Sequence, residues 1–195
     1  MRGAYCTRGR LWVVDEPPSS RGSQTRRRRL LAVYDQIAQR ADRTAATHLW
    51  WPCRRGCDTC CRRLAEVPRL TRDEWTLLRE GIDALEPARR AEVEARIAAL
   101  DPPRDGHVVC PLLDDAEGAC LVYAHRPAAC RTYGFYVDRG SVLGCEQLVT
   151  AVTESGEHDA IVWGNEASVR DATARVSGEE RSLTSWWRDQ GPQRD

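Results

Sequence analysis

The sequence predicts a small, mainly helical α+β domain with short strands and a flexible N-terminal arm. Apolar residues recur at steps of three and four in several stretches, which is typical of amphipathic helices. Between residues 107 and 145 the chain instead consists of short segments separated by cysteines. Eight cysteines lie between Cys53 and Cys145. Because mean hydropathy is only −0.56, the core should be modest, and we expect a metal to help close it.

Composition divides the chain into three parts. Residues 1–29 are rich in Gly, Ser, Pro and Arg without periodicity, which predicts a flexible arm in which Cys6 is a bystander. Residues 30–180 are predicted to form the cysteine-bearing domain. Residues 181–195 are predicted to be a C-terminal tail, whose paired tryptophans pack back onto the domain.

Local signals place the regular elements. The predicted helices start at Leu30, after Thr71, near Pro87 and near Glu166, and the first ends between Thr44 and Thr47. Thr71 and Glu74 have the spacing of a capping box, and Pro87 suits a first helical turn. The predicted strands are 108–109, 121–123, 133–137 and 141–143, with turns at 114–118 and 138–140.

Charge and compartment exclude several function classes. The 29 basic residues balance 29 acidic ones, so net charge gives no attraction to nucleic acid or an anionic membrane. All the basic residues are arginine, which is typical of a high-GC bacterial genome and weakens any argument from arginine clusters. No apolar run approaches the ~20 residues that span a bilayer, and residues 1–29 lack a secretory signal. We expect a cytoplasmic protein. The sequence does not identify its partner; a protein substrate and a redox partner are the candidates.

The cysteines carry the chemistry. Four lie within nine residues and four follow at wider spacing: Cys53, Cys57, Cys60 and Cys61, then Cys110, Cys120, Cys130 and Cys145. In a reducing compartment such a set indicates metal binding rather than disulfides. Soft thiolates select zinc, copper(I) or iron–sulfur clusters. The alternative, buried free cysteines acting as small hydrophobes, is disfavoured by polar neighbours such as Arg54, Arg55 and Asp58.

Helical geometry limits how the first four thiols can meet. In a helix, Cys53, Cys57 and Cys60 would share one face. Cys61 would then point about 100° away, because a helix turns once per ~3.6 residues. Either Gly56 breaks the helix, or these cysteines share sites with the later ones, which we favour. Eight thiolates permit two four-cysteine sites, or one site with spare thiols.

Two other motifs fit less well. The Cys-x3-Cys-x2-Cys spacing is that of radical S-adenosylmethionine enzymes, but Thr59 stands where they usually carry an aromatic residue. The run of β/α units that they need is also missing from the sequence pattern. A zinc ribbon requires two Cys-x2-Cys knuckles, and only Cys57 with Cys60 supplies one.

The whole pattern resembles one known family. Cys53-x3-Cys57-x2-Cys60-Cys61 is followed by Cys110-Pro-Leu-Leu and by Cys120-x-x-Tyr123-x-x-Arg126-Pro127-x-x-Cys130-Arg131-x-Tyr133. Over about residues 48–147 this resembles the YkgJ-type cysteine-cluster family of zinc- or iron-chelating domains. The resemblance implies a small bacterial metal-binding domain of unassigned biochemical role. The family is also similar to the cysteine-rich part of flagellin lysine N-methylases.

The resemblance also suggests roles for residues around the thiols. Arg126 and Arg131 can hydrogen-bond thiolates or offset their charge, and Tyr133, like Tyr123, can shield the site from water. His107 and His125 are weaker candidates for ligands. The eight cysteines are thus the predicted metal ligands, with Arg126, Arg131 and Tyr133 as the predicted cofactor-binding residues.

Three functions remain open from the sequence. The first is a metal-binding protein, with an iron–sulfur cluster favoured over zinc because a structural zinc rarely needs eight thiolates. The second is an iron–sulfur-dependent oxidoreductase or a protein-modifying enzyme resembling flagellin lysine N-methylase. The third is a zinc-stabilised interaction module.

Overall fold

The computed structural model describes residues 18–100 and 106–190. The α-helices in these residues are α1 Pro18–Thr47, α2 Thr59–Arg62, α3 Arg72–Asp83, α4 Pro87–Ala98, α5 Ala128–Thr132, α6 Glu146–Ser155, α7 Glu166–Ser177 and α8 Leu183–Gln190. Single 3₁₀ turns cover Tyr123–His125 and His158–Ala160. None of these helices is both long and apolar enough to cross a bilayer. The predicted fold class, mainly helical α+β with short strands, is confirmed.

The strands are short and form three small sheets. They are β1 Arg69–Leu70, β2 Leu113–Asp114, β3 Ala119–Cys120, β4 Tyr136–Asp138, β5 Ser141–Val142, β6 Gly164–Asn165 and β7 Arg181–Ser182. Strand β1 pairs with β7 and β2 with β3, both antiparallel. Strand β4 lies between antiparallel β5 and parallel β6. The pairings of β1 with β7 and of β4 with β6 therefore join segments that are distant in the sequence, whereas β2 with β3 and β4 with β5 are local hairpins.

Helix α1 corrects the predicted boundary of the arm. It begins at Pro18 rather than Leu30, so residues 18–29 are helical. Arginine is a good helix former, which the arm prediction discounted. Arg26 pairs with Asp73 at 3.1 Å and Arg27 pairs with Glu80, so this segment is held against α3. Residues 1–17, including Cys6, lie outside the described residues.

The predicted C-terminal tail is also corrected. Residues 181–190 form β7 and α8, and the side chains of Leu183, Trp186 and Trp187 are buried in the core. The indole Nε1 of Trp186 donates to the carbonyl of Leu70 at 2.8 Å. The predicted packing of the two tryptophans onto the domain is confirmed, and residues 191–195 lie outside the described residues.

The other local predictions have mixed outcomes. Helices α3, α4 and α7 start where predicted, and the hairpin of β4 with β5 is confirmed. The strands predicted at 108–109 and 121–123 are wrong. Val108 forms only an isolated bridge with Leu64, and the turn at 114–118 joins β2 to β3 instead. Helices α5 and α6 were not predicted.

A buried carboxylate joins the helices to the cysteine-bearing part. Glu74 is 2% exposed and belongs to the capping box of α3 with Thr71, whose backbone N–H donates to its Oε2 at 2.8 Å. Its Oε1 accepts from the hydroxyl of Tyr34 on α1 at 3.1 Å and from the backbone N–H of Ala128 at 2.8 Å. Because Ala128 begins α5, Glu74 fixes the helix that carries Cys130.

Candidate metal centre

The first four cysteines lie on a loop and a single helical turn. Residues 53–58 are not helical, and Gly56 has a φ of +91°, which a side chain would strain. Helix α2 then carries Cys60 and Cys61. Gly56 therefore interrupts the helix, which was one of the two predicted alternatives. As a result, Cys53, Cys57 and Cys60 do not share one helical face.

Backbone pairing brings the second half of the cysteines to the first. The N–H of Cys110 donates to the carbonyl of Cys61 at 2.8 Å. Cys120 lies on β3, in register with Leu113 of β2. The hairpin that follows Cys110 therefore returns Cys120 to the neighbourhood of Cys61.

Cys130 and Cys145 are placed by two helices. Cys130 lies on α5, and Cys145 is the residue that precedes α6. The turn between them passes close to the first loop at Gly134, whose φ is +90°. A Cβ at Gly134 would lie 2.4 Å from the sulfur of Cys53. Glycine is therefore required at this position for Cys53 to keep its place.

The thiols fall into two neighbourhoods. The first thiol group is Cys53, Cys57, Cys60 and Cys145, and the second thiol group is Cys61, Cys110, Cys120 and Cys130. A cavity of about 430 Å³ borders all four members of the first group, and one of about 400 Å³ borders all four of the second. Cys57, Cys60 and Cys130 border both cavities. The two groups are thus neighbours rather than distant sites.

Burial and mutual repulsion keep several of these thiols protonated. Burial, followed by the charge of Cys145, raises the pKa of Cys53 to about 12. A hydrogen bond with Cys110 is the largest factor that raises the pKa of Cys61, also to about 12. Burial raises the pKa of Cys130 to about 12 as well, with Cys120 the next contributor. Thiolates here need a compensating cation, which is what a bound metal ion provides.

The thiols approach one another in pairs. Cys61 is the largest influence on the pKa of Cys60, and Cys110 is the largest on that of Cys61; both raise the pKa. Within residues 18–100 and 106–190, no three Cys, His, Asp or Glu side chains already converge on a point that could hold a metal ion. The donor set fits a soft metal chemically, and coordination requires the thiols to rotate between staggered rotamers.

Arg126 lies beside the second thiol group. Its guanidinium stacks on Tyr123, with 3.5 Å from Cζ to the ring centroid, and its charge lowers the pKa of Cys120 and Cys130 against the effect of burial. Arg55 lies 5.6 Å from the same ring and also lowers the pKa of Cys120. Sequence reasoning missed Arg55, because only its place between Cys53 and Cys57 distinguishes it from the chain's many other arginines.

Arg131 and Tyr133 occupy different surroundings. Arg131 donates from Nε to the carbonyl of Arg126 at 2.7 Å and from Nη2 to that of Ala124, so it holds the segment between Cys120 and Cys130 in shape. Tyr133 lies near the first thiol group, since burial and then the charges of Cys145, Cys60 and Cys53 raise its pKa.

His107 and His125, the weaker candidates for ligands, each contact a residue other than a cysteine, although His107 also borders a surface groove with Cys60 and Cys145. His107 lies 3.4 Å from Arg63, measured between Nε2 and Nη2. His125 packs against Gly81, where an added Cβ would lie 2.7 Å from its ring. His48 makes a 2.6 Å hydrogen bond with Glu157. The thiols are therefore the donors that the fold gathers.

An open groove of about 950 Å³ reaches the first thiol group from the surface. Cys60, Cys145 and Tyr133 lie along it. Charged side chains of both signs line its walls, namely Arg54, Arg63, Glu146 and Glu154. A ligand in this groove would reach the thiols directly.

Comparison with known proteins agrees with this geometry. Residues 52–160 match the model of the CxxCxxCC family, described as a "Putative zinc- or iron-chelating domain". The chain belongs to this family. The matched range contains all eight cysteines of the two thiol groups. No curated protein and no solved structure gives a significant match.

Proposed function

We propose that this protein binds metal through its eight cysteines, as an iron–sulfur cluster in preference to zinc. The observation that carries the proposal is the gathering of all eight thiols around two adjoining cavities within a chelating-domain family. Burial raises the pKa of Cys53 and Cys130, and the interaction with Cys110 raises that of Cys61; a metal offsets this cost by replacing the protons.

Three features favour an iron–sulfur cluster. Cys60 and Cys61 are adjacent, and eight thiols exceed the four that a structural zinc needs. Arg55 and Arg126 place positive charge beside Cys120, which suits a cluster whose thiolates carry net negative charge. When bound, the group would supply redox or Lewis-acid chemistry, while the chain's own residues hold it and limit its contact with water.

Anaerobic purification with iron, zinc and acid-labile sulfide analysis tests the proposal. A brown protein that contains iron and sulfide supports the iron–sulfur form, and a colourless one with stoichiometric zinc contradicts it. Cys57→Ser and Cys120→Ser should each lose metal, whereas Cys6→Ser, outside the matched range, should retain it. Full metal retention by the first two variants would show that these thiols are not ligands.

The groove favours a second candidate, an iron–sulfur-dependent oxidoreductase or protein-modifying enzyme. It gives solvent access to Cys60 and Cys145, so a substrate could approach a metal held by the first thiol group. A protein substrate or a redox partner would be its partner, and we place the protein in the bacterial cytoplasm. A spectral shift of the metal-loaded protein on addition of S-adenosylmethionine would support an enzyme of the methylase-like class. An unchanged spectrum would contradict that class.

A zinc-stabilised interaction module is the third candidate. It predicts zinc without sulfide and no spectral response to S-adenosylmethionine. The same metal analysis therefore separates it from the two iron–sulfur candidates.

A further inference from the structure

We propose that the eight thiols form two separate four-thiolate centres, the first thiol group and the second thiol group, divided between the adjacent residues Cys60 and Cys61. This division rests on the proposed metal-binding function and deepens it, because it states how many centres there are and which cysteines share each one. Three sets of contacts carry it.

The first set ties the first thiol group to helix α6. The thiol of Cys57 lies 3.7 Å from Oε1 of Gln147 on the first turn of that helix, which Cys145 precedes. Cys53 and Cys145 both pack against one apolar cluster, which contains Trp51 and Leu148. These three cysteines therefore converge on the start of α6.

The second set ties the second thiol group to a different core. Cys61, Cys110 and Cys120 belong to or pack against the cluster of Trp75 and its neighbours. The backbone bond between Cys110 and Cys61 and the pairing of β2 with β3 fix their relative positions. Cys130 borders the same cavity as these three cysteines.

The third set is the geometry of α2. Consecutive residues of a helix point about 100° apart, because the helix turns once per ~3.6 residues. The backbone bond from the N–H of Cys110 to the carbonyl of Cys61 places Cys61 beside the second group. Cys60 instead borders the groove together with Cys145 and Tyr133. The two centres thus meet at the Cys60–Cys61 dipeptide, with Cys60 in the first thiol group and Cys61 in the second.

Cobalt(II) titration of the reduced, metal-free full-length chain tests the division. Tetrahedral cobalt thiolate sites absorb in the visible region, so bound ions can be counted as they enter. We expect the wild type to bind two ions. Cys53→Ser with Cys145→Ser should retain only the ion of the second group, and Cys110→Ser with Cys120→Ser only that of the first. Circular dichroism checks that each variant is folded.

The outcomes separate the two levels of the proposal. A wild type that saturates with one ion, or a folded double variant that binds none, overturns the division. Native mass spectrometry of the loaded wild type gives the same count without any variant, so a double variant that fails to fold does not prevent the decision. A wild type that binds no cobalt, iron or zinc contradicts metal binding itself.

A second observation concerns Trp51, which is 6% exposed. Its indole Nε1–H makes no hydrogen bond of ordinary geometry among the residues that the structure describes. An unpaired buried donor is costly. The indole belongs to the apolar cluster against which Cys53, two residues later in the chain, packs.

We infer that Trp51 is a positioning residue whose indole N–H donates to the sulfur of Cys53 once that sulfur binds metal. A hydrogen bond of this kind orients the ligand and adjusts its electron donation. The inference rests on the proposed metal binding, but it stands on the unpaired donor rather than on the division into two centres.

Trp51→Phe keeps an aromatic ring but removes the donor. We expect the cobalt affinity of the first thiol group to fall about 10- to 100-fold. The sulfur-to-cobalt charge-transfer band should also move to lower energy, since an unbonded thiolate donates more strongly. Trp163→Phe is the matched control, because Trp163 contacts Trp51 at 5.5 Å between ring centroids and its indole Nε1 is likewise buried without a partner among the described residues.

Indole ¹⁵N NMR adds a direct measurement. The Trp51 N–H proton should shift downfield when the protein is loaded with zinc, and the Trp163 proton should not. Wild-type affinity and band position in Trp51→Phe, or equal changes in Trp163→Phe, would overturn the inference. Absence of metal from the wild type would instead contradict the proposed function.

Discussion

The helices around Trp75 and the segments that carry the cysteines differ in the length of their regular elements. Helices α3 and α4 have 12 residues each and bury Trp75, Ile82, Val93 and Ile97 almost completely. Between residues 107 and 145 the longest regular element is α5, with five residues, and the strands have two or three. Most of the cysteines are only partly buried.

We call the helices around Trp75 the helical half and the segments that carry the cysteines the cysteine half. The difference in element length shows where each half obtains its stability. Burial contributes about 25 cal/mol per Å² of apolar surface, so long amphipathic helices supply most of it. Elements of two to five residues add little buried apolar surface, yet each of their residues loses conformational entropy on folding. The proposed metal–thiolate bonds would provide the missing local folding energy. We therefore expect the two halves to respond differently to the same perturbation.

Metal removal should have the largest effect, and it should be confined to one half. When a chelator strips the reduced, metal-loaded protein, amides in residues 53–62 and 107–145 should lose protection. Their elements are short, and the burial of Val108, Leu113 and Val122 in the Trp75 cluster anchors only part of them. Amides in α3 and α4 should stay protected. Hydrogen exchange with mass spectrometry measures both. Equal loss of amide protection in both halves would contradict the proposed difference in their stability. Reloading with the same metal, which should restore protection, is the control.

A core substitution should show the opposite pattern. Ile97 is 1% exposed, so Ile97→Ala should lower the free energy of unfolding by about 2–5 kcal/mol. Urea unfolding measures the loss. The folded variant should bind the wild-type amount of metal, because α4 carries no cysteine. Leu49→Ala is the control, since Leu49 is 92% exposed and its truncation should change stability little. Reduced metal content in folded Ile97→Ala would contradict the separation.

Glu74→Gln should act on both halves, with a smaller effect. The amide nitrogen of Gln cannot accept, so donors such as the N–H of Ala128 or of Thr71 lose their acceptor. We expect a loss of about 1–3 kcal/mol by urea unfolding, together with weaker metal retention because α5 carries Cys130. Glu80→Gln on the same helix is the control, since Glu80 makes an exposed ion pair with Arg27. Normal metal retention would mean that Glu74 does not position α5.

Much of the helical half could be predicted from local signals. The capping box of Thr71 with Glu74 and the first-turn Pro87 mark α3 and α4, since both signals act within one turn. Helix α6 was missed because only Leu148 and Val152 of its side chains are fully buried, which gives a weak periodic pattern. Helix α8 was predicted to be a tail because its tryptophans are buried through contacts with Leu70 and Trp75, which are distant in the sequence.

The site was less predictable than its residues. The eight cysteines and their motif are visible in the sequence, but their grouping depends on contacts between distant segments. The approach of Cys53 to Gly134 and the bond between Cys110 and Cys61 are examples. The unpaired indole N–H of Trp51 is likewise a property of the folded chain.

The smallest predicted effect concerns the contact between the end of α1 and the end of α6. His48 follows α1, and its Nδ1 lies 2.6 Å from Oε2 of Glu157, which follows α6. The hydrogen bond from His48, and then that from Trp50, hold the pKa of Glu157 below its ordinary 4.5. A lowered carboxyl pKa stabilises the fold at pH values above the ordinary one, and this stability is lost as pH falls through the lowered pKa. Glu157→Gln keeps an acceptor but cannot titrate.

The difference in unfolding free energy between wild type and Glu157→Gln should therefore shrink as pH falls from about 7 to below the ordinary carboxyl value. Urea unfolding at each pH measures it. Glu154→Gln, on α6 and outside this pair, should give a difference that varies less with pH. Thiol protonation and metal loss act on all three proteins alike, so the comparison between variants isolates the carboxylate. A pH-independent difference for Glu157→Gln would mean that the pair does not couple the end of α1 to the end of α6.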